Sequence, residues 1–80
     1  MPLSVRIINQ DSIVFEGEAN FILAPGVDGN LGIMPGHTPF FAELIKGSII
    51  VQGGDEKSYP IEGGILKVRA DTVTILLGME

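Results

Sequence analysis

Apolar and polar residues alternate with a period of two along almost the whole of this chain, and turn signals interrupt the alternation every few residues. Leu3, Val5 and Ile7 alternate with Ser4 and Arg6, and Leu66 and Val68 alternate with Lys67 and Arg69. A period of two places successive side chains on opposite faces of an extended strand. No stretch of ten or more residues has helical periodicity with capping residues. The chain is therefore confined to an antiparallel sandwich or barrel of short strands. Eighty residues make one domain, residues 1–80, and hold no repeat or linker. A chain of this size buries only about 60% of its unfolded surface, so the core is small. The 45% hydrophobic content is enough to form it.

The breaks divide the chain into strands. Asn9-Gln10-Asp11-Ser12 is a polar turn, and Ile13-Val14-Phe15 opens a second strand in which Gly17 marks a bulge or bend. Ala19 to Ala24 is a strand that stops at Pro25-Gly26, and Val27-Asp28-Gly29-Asn30 is a turn. Lys46-Gly47 reads as a tight turn between Phe40–Ile45 and Ser48–Gln52. Gly53-Gly54-Asp55-Glu56 is a hairpin tip, Pro60 belongs on an edge or at a bulge, and Gly63-Gly64 breaks the next strand. The remaining stretch, Gly29 to Pro39, is a shaped loop with Gly29, Gly32, Pro35, Gly36 and Pro39 setting its backbone. An ordered loop loses little entropy on docking, so this one is suited to presentation.

Several function classes are disfavoured. A net charge of −5, with five Lys and Arg scattered along the chain, leaves no basic patch for nucleic acid or an anionic membrane surface. No apolar run approaches the ~20 residues of a membrane span, so no direct membrane insertion is expected. The N-terminus has no signal or transit pattern. There is no cysteine for disulfides or thiolate metal ligation. His37 is the single histidine; beside Thr38 it has no orienting acid, and scattered carboxylates do not complete a zinc site. The glycines from Gly26 to Gly32 lack the Gly-Lys-Ser/Thr ending of a phosphate loop. No catalytic residue, metal site or cofactor is therefore expected. Lys57, near an acidic hairpin tip, raises one alternative, a lipoyl-like carrier domain modified there. A small all-β protein-interaction adaptor is another.

Five ordered elements carry a resemblance. Leu31-Gly32-Ile33-Met34-Pro35-Gly36-His37-Thr38-Pro39 resembles the Leu-Gly-Ile-x-Pro-Gly-His-x-Pro signature of the epsilon subunit of F-type ATP synthases, the subunit called delta in mitochondria. Val14-Phe15-Glu16-Gly17 resembles that family's early aromatic-x-Gly element. Ile45-Lys46-Gly47-Ser48-Ile49 is similar to its Ile-x-x-Gly-x-Ile hairpin, with one residue fewer before the glycine. Ile61 to Val68 resembles its Gly-Gly-x-Leu-x-Val strand, and Val73 to Leu76 its last strand.

The resemblance implies a two-sheet antiparallel β-sandwich of about ten short strands. It implies a non-catalytic rotor subunit in the central stalk of a proton-translocating ATP synthase. The partners implied are the gamma subunit and the polar loops of the c-ring. His37 falls at the family's gamma-facing histidine, and Asn9 and Ala42 at two other gamma-facing positions. Asn30 falls where an acidic residue near the ring is common, so Asp28 is expected to supply the missing charge, with Leu31 and Met34 as apolar contacts beside it. One of Phe40 and Phe41 is expected to face outward as an interface anchor. Typical members continue into an inhibitory C-terminal helical hairpin. This sequence stops at Glu80, which leads to the expectation of a short subunit that couples and assembles without the hairpin. The implied location is the cytoplasmic side of a bacterial plasma membrane, peripheral and held through the complex.

Overall fold

A computed structural model describes residues 2–36 and 38–78. Seven strands follow one another: β1 (Leu3–Asn9), β2 (Ser12–Ala19), β3 (Phe21–Gly26), β4 (Gly29–Ile33), β5 (Phe40–Gly53), β6 (Asp55–Arg69) and β7 (Thr72–Leu77). No helix occurs among the described residues. The all-β architecture is as expected. Hydrogen bonding links all seven strands into one sheet, in the order β2-β1-β7-β6-β5-β3-β4.

The difference from ten strands in two sheets has a physical origin in β5 and β6. These strands run 14 and 15 residues, far beyond the usual five or six. They pair continuously, from Phe40↔Val68 to Gly53↔Asp55, except that Lys46 and Glu62 are skipped. At that point the inward face changes parity. Leu44 on β5 and Leu66 and Val68 on β6 are buried on one side of it; Ile49, Val51 and Ile61 are buried on the other. An even-numbered inner face becomes an odd-numbered one because both strands turn a corner together. One hydrogen-bonded sheet thus folds over itself and encloses a core as a sandwich does. The shortest dimension of the molecule, 18 Å, suits two layers stacked about 10 Å apart.

Lys46-Gly47 and Gly63-Gly64 are therefore corners and not the turn and break that the sequence suggests. A Cβ on Gly64 would lie 2.5 Å from the Leu76 carbonyl oxygen, and one on Gly47 would meet the Pro25 ring at 2.9 Å. Pro25 lies inside β3, where the β3–β5 register shifts between Leu23 and Gly26. An irregular ladder tolerates a residue with no N–H to give. Pro60 faces Ser48 on one side, and the ladder between β6 and β7 begins only at Gly64, so Pro60 is on an edge as expected.

Two further details depart from the expectations. The β1–β2 irregularity is at Val14, which is skipped between Ile7↔Phe15 and Ile8↔Ile13, and not at Gly17. Gly17 instead leaves room for the Phe15 ring, whose Cζ would touch a Cβ there at 3.2 Å. Secondly, β1 and β7 pair in parallel. Parallel neighbours need a long crossover, and here almost the entire chain provides it.

The core draws on every strand: Leu3, Val5 and Ile7 from β1, Ala19 from β2, Ile22 and Ala24 from β3, Ile33 from β4, and Val73 and Ile75 from β7, with the β5 and β6 residues above. Phe15 and Tyr59 pack against it with ring centroids 5.8 Å apart. No buried polar or charged side chain is found among the described residues.

Candidate functional site

The surface of interest is built from the β3–β4 hairpin, the loop that follows it and the start of β5. Gly26 pairs with Gly29, which leaves Val27-Asp28 as the two-residue tip. Gly29 takes φ +126°, a backbone conformation that favours glycine. A Cβ on Gly26 would lie 2.6 Å from the Gly29 carbonyl oxygen, so close approach keeps that position bare. The stretch read as one loop from Gly29 to Pro39 is thus two things. Its first half, Gly29–Ile33, is strand β4, and the described residues 34–36 and 38–39 are irregular. Gly32 pairs with Leu23 in the strand, and a Cβ there would lie 3.2 Å from the Phe21 ring. Gly36 adopts φ +86° with nothing near a would-be Cβ, so its glycine serves backbone conformation alone.

The hairpin tip and β5 meet in a groove of about 350 Å³ lined by Val27, Asp28, Leu31, Phe40, Phe41 and Ala42, with Gly26 and Glu43. Leu31 is half-buried against the core, and Asp28 and Asn30 are exposed. Phe41 is the outward aromatic, 65% exposed, against 38% for Phe40. Parity explains the difference: Phe40 shares the inner face with Ala42 and Leu44, while Phe41 stands beside Lys67 on the outer face. Met34 (60%) and Val27 (52%) add exposed apolar surface at the loop and the hairpin tip. Lys67 and Arg69 border Phe41 on the outer side.

The sequence reading divides these residues between two partners, yet Asp28 and Leu31, expected toward the ring, share the groove with Ala42, expected toward gamma. Asn9 is elsewhere. It ends β1, which β7 and β6 separate from β5, and its Oδ1 accepts a hydrogen bond from the Gln10 N–H at 2.7 Å. His37 lies outside the described residues. Lys57 is on β6 past the Gly54 turn, with its ammonium 5.6 Å from the centre of the Phe15 ring. A carrier lysine stands free at a hairpin apex, and this one does not.

Two features were not singled out from the sequence. Asp71 accepts a hydrogen bond from the Gly36 N–H at 2.8 Å; nothing in the sequence signals a contact between residues 35 apart. An apolar row also crosses the outer face through the paired residues Ile13, Ile8, Leu76 and Ile65. The period-two pattern places these residues outward, but only the strand order brings them together. Exposed apolar surface of this kind marks interaction sites.

Known proteins share this arrangement. Residues 2–78 match the family model described as ATP synthase, Delta/Epsilon chain, beta-sandwich domain. The ATP synthase epsilon chains of Bordetella avium and Bordetella parapertussis are each 38% identical over 76 residues, a match covering 92% of this chain and 54% of theirs. The chain thus spans about half the length of the curated relatives it matches. Among solved structures, a chain of the Euglena gracilis mitochondrial ATP synthase OSCP/F1/c-ring assembly superposes with a TM-score of 0.89 at 22% identity, over 95% of this chain and 50% of that one. A chain of the Tetrahymena thermophila mitochondrial ATP synthase central stalk/c-ring gives 0.81 at 17% identity, over 94% and 62%. At those identities the structures establish a common fold, whereas the family model spans nearly every residue from the first strand to the last. This chain belongs to the ATP synthase delta/epsilon family, as its β-sandwich domain.

Proposed function

We propose that this chain acts as a non-catalytic rotor subunit in the central stalk of a proton-translocating F-type ATP synthase. It binds the gamma subunit, meets the polar loops of the c-ring, and helps couple ring rotation to ATP synthesis in the catalytic head. The family match across residues 2–78 carries this reading. The wholly apolar core and the exposed apolar groove at Phe41 support it, since both suit a docking module. In this reading Asp28, Asn30, Leu31 and Met34 face the ring, and His37, Ala42 and Asn9 face gamma. The chain is held on the cytoplasmic side of a bacterial plasma membrane through the complex.

Co-expression with the gamma subunit of the same organism tests the proposal. The two are expected to co-purify as a stoichiometric complex. Soluble gamma that purifies without this chain would refute the reading, and an intact mass above the sequence mass at Lys57 would favour a carrier instead.

The ring contact has its own test. Asn30 is exposed at the hairpin, where a carboxylate would form charge-assisted hydrogen bonds roughly twice as strong as those of an amide. Asn30→Asp is expected to tighten binding to the isolated c-ring by about fivefold, near 1 kcal/mol. Unchanged affinity would remove Asn30 from that interface.

A further inference from the structure

We infer that Asp71 is a positioning residue, a latch that holds the loop at Gly36, between β4 and β5, in its docking conformation. This inference rests on the proposed docking to gamma and names the residue that prepares the loop for it.

The loop leaves β4 at Ile33 and enters β5 at Phe40, and its described residues, 34–36 and 38–39, belong to no strand. The Gly36 N–H reaches across to the β6–β7 turn and donates to Asp71 Oδ1 at 2.8 Å. Gly36 makes this contact at φ +86°, which glycine adopts without penalty. The acceptor is also fixed in place. Arg69 pairs with Thr72, so Ala70 and Asp71 form a two-residue turn with φ of +49° and +62°. Hairpins prefer such turns because their twist matches that of the strands, and an aspartate tolerates the left-handed conformation at the second position. The Asp71 carbonyl oxygen meanwhile accepts the Ser4 N–H at 2.8 Å, which ties the same residue to the start of β1. One residue therefore links the first strand, the last hairpin and the loop. A carboxylate on a residue whose own backbone is anchored is an efficient restraint on a loop that must be ordered before it docks.

Two variants separate the latch from the turn. Asp71→Gly keeps the left-handed backbone and removes the acceptor. Asp71→Asn keeps an acceptor oxygen on a residue that tolerates the same backbone. Hydrogen exchange at the Gly36 amide, read by NMR on the isolated chain, reports the latch without any partner. Titration with gamma reports its effect on docking. Asp71→Gly is expected to speed Gly36 exchange by about tenfold, leave core amides unchanged and weaken gamma binding by about tenfold, the ratio a single lost hydrogen bond gives. Asp71→Asn is expected to stay near the wild type in both. Unchanged Gly36 exchange in Asp71→Gly overturns the latch. Faster exchange with unchanged gamma affinity overturns its role in docking. Should the wild type itself not bind gamma, the proposed function falls, and the exchange measurement alone upholds or overturns the latch.

Discussion

Gly64→Ala is expected to destabilise this domain by about 3 kcal/mol, read as a lower denaturation midpoint with an unchanged slope. The added methyl would sit 2.5 Å from the Leu76 carbonyl oxygen, a backbone atom of the neighbouring β7. Backbone within a paired ladder cannot move aside as a flexible side chain would. The loss is a large share of the whole, because a chain of this length has a total stability of about 4–12 kcal/mol. Gly54→Ala is the control. Its φ of +97° carries a conformational penalty, but nothing lies within 4 Å of the new atom, so the expected cost is about 1 kcal/mol. Equal effects at the two sites would show that Gly64 does not sit at a packed corner.

Leu66→Ala is the second large effect, about 4 kcal/mol from lost burial and the cavity left behind. Leu66 is fully buried on β6, paired with Ala42 on one side and Ile75 on the other. It stands just beyond the corner, on the layer that β1 and β7 complete. Ile45→Ala, one of the exposed apolar positions on β5 at 48%, is expected to change stability by less than about 0.5 kcal/mol. The contrast between two residues of similar size tests the assignment of inner and outer faces on the paired strands.

Alternation identified those faces well wherever a strand lies within one layer. Leu3, Val5 and Ile7 point inward as read, and so do Leu66 and Val68. It failed where glycines do something other than end a strand. Gly47, Gly63 and Gly64 resemble turn signals, but they let two paired strands bend without a side chain at the corner. Glycine allows both, and only the partner strand decides between them. The stretch from Gly29 reads as loop throughout because it is rich in glycine and proline, yet Gly29–Ile33 pairs with β3 along its full length. At the candidate site, Asp28, Leu31 and Ala42 were each singled out from the sequence, but their common groove was not, since it depends on β3 and β5 running side by side. Asp71 carries no signal in the sequence beyond its place between Arg69 and Thr72. Its contact with Gly36 joins two turns that the strand order brings together.

In the proposed function the start of β5, at Phe41 and Ala42, docks onto the gamma subunit. Phe41 is the most exposed large apolar side chain on it, and its removal leaves the core intact. Isothermal titration of purified gamma with the wild-type chain and with Phe41→Asp tests the claim most directly. The wild type is expected to bind with 1:1 stoichiometry, and Phe41→Asp to bind about thirtyfold more weakly, near 2 kcal/mol, as for an aromatic anchor, with an unchanged thermal midpoint. Equal affinity of the two proteins, or no binding by the wild type, would contradict it.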